Sequence, residues 1–79
     1  MSYTNPIEQC VREHLERYFA DLGDSDPHDI LNMVVQCVER PVLQMVLEKT
    51  QGNQSRAAEM LGITRSTLRK KLQTHNLQP

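Results

Sequence analysis

Between Asn53 and Lys71 the chain gathers side chains suited to holding a polyanion: Asn53, Ser55, Thr64, Arg65, Thr67, Arg69, Lys70 and Lys71. Their chemistries differ. The flat guanidinium of Arg65 can make a bidentate contact to a guanine edge, the commonest specific base contact, and Thr67 can offer a hydroxyl or a methyl to a base. Lys70 and Lys71 suit phosphates, which position a protein on a duplex without reporting its sequence, and Arg69 stands beside them. Asn53 and Ser55, at the positive end of a short helix, can bring donors to a further phosphate. A run such as Arg69-Lys70-Lys71 is also an ordinary solvated helix face, so the spacing around it has to discriminate.

With Gln54 as the first position, a small Ala58 stands fifth, Gly62 ninth and an apolar Leu68 fifteenth, with Leu61 and Ile63 flanking the glycine. A helix-turn-helix needs these types on steric grounds. Two helices crossing steeply require a small residue at closest approach, a residue that tolerates positive φ at the turn and an apolar anchor on the second helix. Helical hairpins that bind nothing share the pattern. The cations beside this turn favour a nucleic acid, because they stand at the start of the second helix, the end that enters a major groove.

The overall balance hides this cluster. The formal net charge of the 79 residues is -1, yet residues 1–48 hold three cations against nine anions while residues 49–79 hold six cations against Glu59 alone. Such asymmetry between halves points to an anionic partner for the C-terminal part. Cys10 and Cys37 lie in apolar runs without metal-ligand spacing, so they are expected to be small buried hydrophobes, with neither disulfide nor zinc. His14, His28 and His75 are scattered over three helices without a paired carboxylate or thiol, and no nucleophile motif or glycine-rich phosphate loop is present. No enzyme activity, cofactor or metal is expected. Met33, Met45 and Met60 are expected in the core. No apolar run approaches the roughly 18 residues of a membrane span, and Met1 to Asn5 lacks the basic start and apolar core of a signal peptide. The expected setting is a reducing cytoplasm.

Four helices can position the cluster, as one all-α domain over residues 1–79. Asn5-Pro6-Ile7-Glu8 sets a cap, a proline at the first helical position and a glutamate able to reach back, opening a first helix that ends at Gly23. Asp26 and Pro27 repeat the grammar for a second helix, expected from about Pro27 to about Gln51, with Asp29 favouring its positive end. Its apolar residues, Ile30 to Leu47, cover more than one stripe, so half of that surface needs a partner. Pro41 in its interior predicts a kink, the alternative being two separate helices. Gly52 supplies a left-handed stop. Asn53 caps a third helix, about Gln54 to Leu61, and Thr64 a fourth, to about His75 with Leu68 and Leu72 inward.

The stretch "RPVLQMVLEKTQGNQSRAAEMLGITRSTLRKKL" closely resembles the factor for inversion stimulation (Fis) family of bacterial nucleoid-associated proteins, and the related C-terminal module of nitrogen-regulatory enhancer-binding activators. The resemblance runs from about Pro6 to Leu77 and is sharpest in "GNQSRAA", "LGI" and "TLRKKL". It implies a homodimer whose first two helices, residues 6–51, intertwine into a core and display two helix-turn-helix units, residues 52–77, to double-stranded DNA. It further implies compression of the intervening minor groove, bending of the duplex and a broad, degenerate site preference. The family's contacts carry over to Asn53, Ser55, Thr64, Arg65, Thr67, Arg69, Lys70 and Lys71. Two departures stand out. Gln73, Thr74 and His75 replace further lysines, which implies a salt dependence shallower by about 0.9 in log-log slope per lost phosphate contact. Only Met1 to Asn5 precede the first helix, so contact with a recombinase through an N-terminal arm is doubtful. Two rivals differ in outcome: a stand-alone enhancer-binding-type regulator would occupy few palindromic sites, and a helical dimerisation module for a partner protein would not bind DNA.

Overall fold

Local capping chemistry sets three of the four helix starts. The computed structural model describes Asn5 to Leu77, and these residues form α1 (Pro6–Leu22), α2 (Ile30–Lys49), α3 (Gln54–Leu61) and α4 (Arg65–Thr74), with no strand among them. The readings made on Met1 to Thr4, as a short arm and as a non-signal, lie outside the described residues. At α1 the Asn5 side-chain oxygen accepts the Glu8 backbone N–H at 2.8 Å, and its amide donates to the Glu8 carboxylate at 3.3 Å. Pro6 occupies the first turn, where a missing N–H costs nothing.

The start of α2 departs from expectation. The helix opens at Ile30, three residues beyond Pro27. Asp29 stands just before it at φ 58; its carbonyl accepts the Met33 N–H at 3.1 Å, and its carboxylate accepts the Asn32 amide at 3.4 Å. A residue at positive φ cannot continue a helix, so Asp29 bars a helix running on from Pro27, and Asp26 and Pro27 fall in the connection. His28 therefore lies in this connection and not on a helix.

Downstream, α2 passes through Pro41 as one helix. It ends in a Schellman motif: the Gly52 N–H reaches the Leu47 carbonyl at 2.9 Å, and the Gln51 N–H reaches that of Glu48 at 3.2 Å. The residue opening this left-handed stop is Gln51 (φ 55), followed by Gly52 (φ 82), so the glycine sits one position later than its role requires.

By contact, the chain falls into two compact units that meet between Val34 and Val35, inside α2. The first holds α1 and the opening turn of α2. No α1 residue is buried; Ile7 is 68% and Phe19 48% exposed. The Tyr18 and Phe19 rings meet edge to face with centroids 5.5 Å apart.

The second unit has a small closed core of Leu43, Ala57, Ala58, Leu68 and Leu72, packed on by Val46, Leu47, Leu61, Ile63 and Leu77. α2 thereby presents two stripes. Glu39, Leu43, Val46 and Thr50 recur at helical spacing and are buried or half-buried. Leu31, Val35, Val38, Val42 and Met45, spaced four, three, four and three residues apart, are all exposed. That alternation has the spacing found on helices that pack lengthwise against another helix.

Several residues expected inside are therefore outside. Cys10 and Cys37 are exposed, as are Met45 and Met60, and Met33 is half-buried. Their helical spacing marks apolar faces, but one chain closes only one face of α2 and leaves α1 at most half-buried, at Val11, Leu15, Tyr18 and Leu22. α2 is also long and apolar enough to match a membrane span by length and composition, contrary to the sequence reading. Glu39 and Arg40 interrupt that helix midway, and charged residues at the centre of a bilayer-spanning helix are costly. This composition serves protein packing better than lipid.

Candidate nucleic-acid interface

The surface is built from two short helices and the turn between them. Asn53 caps α3, its side-chain oxygen accepting the Arg56 N–H at 3.1 Å, which leaves the amide donors for an outside acceptor. α3 ends in a second Schellman motif: the Gly62 N–H reaches the Glu59 carbonyl at 3.2 Å, and the Ile63 N–H reaches that of Ala58 at 3.1 Å. Gly62 has φ 77, the left-handed conformation in which a Cβ is strained, so the turn needs glycine there. Ala57 and Ala58 are buried beside Leu68, and their small size lets α4 approach α3 closely.

Thr64 caps α4. Its hydroxyl oxygen accepts the Thr67 N–H at 3.1 Å and donates to the Thr67 hydroxyl at 2.9 Å, so the Thr67 O–H proton remains for an external acceptor. With Leu68 and Leu72 fully buried, the 3.6-residue period turns Ser66, Lys70 and Gln73 outward and sets Arg65, Thr67 and Arg69 on the flanks. Asn53, Ser55, Thr64, Arg65, Thr67, Arg69 and Lys70 are all exposed, on the caps and first turns of α3 and on α4.

Lys71 is placed differently. Its Nζ lies 2.7 Å from Glu39 Oε2, and Glu39 Oε1 lies 3.1 Å from Nε2 of His75, which is 7% exposed. Arg40 adds a guanidinium hydrogen bond to the His75 carbonyl, at the negative end of α4 where a cation is favourable. α4 closes there in a third Schellman motif through Asn76 (φ 55), with the Leu77 N–H on the Leu72 carbonyl at 2.8 Å.

Glu39, Arg40 and the buried His75 were not singled out from sequence, and His75 has the carboxylate partner it was expected to lack. A signal existed: adjacent charges inside an apolar helix are seldom buried without partners.

The hydrogen bond from Lys71, then that from His75, hold the Glu39 carboxyl below its ordinary range. A depressed carboxyl stabilises the fold fully above its unfolded pKa and loses that contribution as pH falls through the folded one. Wild type should exceed Glu39→Gln in stability by about 1 kcal/mol at pH 7, the scale of a part-exposed pair. The difference should shrink as pH falls below the ordinary carboxylate range and Glu39 takes up its proton in the fold. Urea unfolding of both proteins from pH 7 to pH 3 checks this; a gap that does not narrow as pH falls contradicts it.

Comparison with known proteins gives a consistent picture. Residues 35–75 match the family model described as bacterial regulatory protein, Fis family, and the match starts where the second compact unit starts. The chain is 52% identical over 73 residues to a Fis-like DNA-binding protein of Ralstonia nicotianae, covering 92% of this chain and 95% of that one. It is 50% identical over 78 residues to a Fis-like DNA-binding protein of Neisseria meningitidis serogroup A, covering 98% and 99%. To the DNA-binding protein Fis of Escherichia coli O1:K1 / APEC it is 46% identical over 72 residues, covering 91% of this chain and 74% of that one.

Proposed function

Since the chain belongs to the Fis family of bacterial regulatory proteins, we propose that it is a homodimeric, nucleoid-associated DNA-binding protein of the cytoplasm. It bends duplex DNA and regulates transcription at many degenerate sites. The observation that carries this reading is the division of the chain into an exposed cationic helix start and an exposed apolar seam. Arg65, Thr67, Arg69 and Lys70 line the first, while Val35, Val38, Val42 and Met45 line the second. The seam brings two copies together, and two copies present two α4 helices to one duplex. Arg65 and Thr67 read base edges; Asn53, Ser55, Arg69 and Lys70 hold phosphates. Bending gives site preference at base pairs that no side chain touches, because deformable steps bend at lower cost.

The test is a gel shift on a bent-site duplex and a random duplex at two salt concentrations, scored for affinity and for mobility. Tighter binding to the first, an anomalous mobility and a steep loss of affinity with salt are expected. Equal, salt-independent binding to both would sink the reading. Within the same assay Lys70→Ala should weaken both duplexes alike and reduce the log-log salt slope by about 0.9. A loss confined to the bent site would move Lys70 to the base-reading group.

A further inference from the structure

The Lys71 ammonium has the charge of a phosphate contact but the surroundings of a structural one. Its partner Glu39 is one-quarter exposed, and both carboxylate oxygens are engaged, one by Lys71 at 2.7 Å and one by His75 at 3.1 Å. Lys71 and His75 stand four residues apart, one turn of α4, so a single carboxylate on α2 grips two successive turns of α4. Such a grip fixes both the rotation of α4 about its axis and its position along it. Arg40, next to Glu39, holds the carbonyl of the same His75. On α4 itself Lys71 lies toward the face of Leu68, Leu72 and His75, whereas Lys70 points the opposite way.

Electrostatics agree with this placement. A duplex brings a dense row of anions to this surface, and an unneutralised Glu39 would repel it. Drawing Lys71 to a phosphate would strip Glu39 of its nearest cation, an unfavourable exchange for a carboxylate three-quarters removed from water.

We infer that Lys71 is a positioning residue and not a phosphate contact: with Glu39 and His75 it sets the angle and register at which α4 offers Arg65, Arg69 and Lys70 to DNA. This rests on the proposed DNA-binding function. Glu39, on the helix that also carries the apolar seam, is thereby a determinant of site preference, although it bears the charge that DNA repels.

The sign of the Glu39 effect makes the test sharp. In full-length protein, with folding followed by circular dichroism, affinities of wild type, Glu39→Gln, Lys71→Gln, Lys70→Gln and the Glu39→Gln/Lys71→Gln double variant are measured on preferred and random duplexes across a salt series. Lys70→Gln serves as the reference for a true phosphate contact, with its slope reduced by about 0.9. Lys71→Gln should leave the slope unchanged and lower affinity for the preferred duplex about tenfold, as one misplaced base contact does. Glu39→Gln should cause the same loss, although removing a negative charge would otherwise tighten binding, and the double variant should be no worse than either single one. A reduced slope in Lys71→Gln together with undiminished binding by Glu39→Gln overturns the inference while leaving the proposed function intact. A wild type without salt-dependent DNA affinity overturns both. Should Glu39→Gln fail to fold, Glu39→Asp takes its place: a fold retained with several-fold weaker preferred-site binding is expected, and wild-type affinity overturns the inference.

Discussion

Val38→Glu is expected to leave the chain monomeric and to remove DNA binding at concentrations where wild type is saturated. Val38 lies at the middle of the α2 seam, flanked by Val35 and Val42, and the three are between 41% and 44% exposed on one chain. Covering a valine fully contributes about 1.5 to 3 kcal/mol, so a seam of five apolar residues supplies much of what association needs. A carboxylate in that seam appears twice in a symmetric dimer and must be desolvated without a partner, at several kcal/mol per ion. The closed core of Leu43, Ala57, Ala58, Leu68 and Leu72 does not include Val38, so the helix-turn-helix unit should persist. What disappears is the second copy of α4 on the duplex, and the gain from binding two linked sites together goes with it. Analytical ultracentrifugation with fluorescence anisotropy on labelled duplex checks both parts. A variant that sediments as a dimer, or a monomer that binds DNA as tightly as wild type, contradicts the seam.

Arg65→Ala should cost about 1 to 3 kcal/mol on a preferred duplex, far less on a random one, and so flatten sequence preference. Arg65 is the first residue of α4, exposed, next to a cap whose hydroxyl is engaged by the Thr67 backbone. Its own backbone is thus fixed while its side chain stays available. A guanidinium there matches the two acceptors of a guanine edge, a geometry that lysine cannot reproduce. Arg65→Lys should therefore keep the charge without recovering preference. Competition binding with single-base variants of one site provides the readout. Equal losses on preferred and random DNA would assign Arg65 to the phosphates.

The parts of this molecule that were legible in its sequence are those decided within one turn of helix. The caps at Asn5, Asn53 and Thr64, the stop at Gly62 and the inward Leu68 and Leu72 follow from side chains reaching three or four residues along the chain. The exposed cations of α4 follow by elimination from the same period. What escaped depends on neighbours distant in sequence or on competition between near-equal local signals. Asp29 displaced Asp26 as the residue from which α2 starts because its own positive φ interrupts any helix running on from Pro27. Gln51 accepted a left-handed conformation that Gly52 was expected to take alone. The grip of Glu39 on Lys71 and His75 joins residues 32 and 36 positions apart, and no periodicity within either helix encodes it. Exposed Cys10, Cys37 and Met45 have the spacing of buried residues, because periodicity marks an apolar face without fixing whether the same chain covers it.

The two stripes of α2 also bear on how much of this protein a cell must hold. One stripe closes the core under α3 and α4 and the other stays exposed, so in the proposed dimer a single helix is shared by the reading unit and the interface. Folding and assembly then draw on opposite faces of the same helix, so association adds to the stability of the fold: the melting temperature should climb with protein concentration, as it does for any chain that its own copy stabilises. Abundance would act as a threshold on the protein's competence to read DNA, sharper than the occupancy of individual sites alone would give.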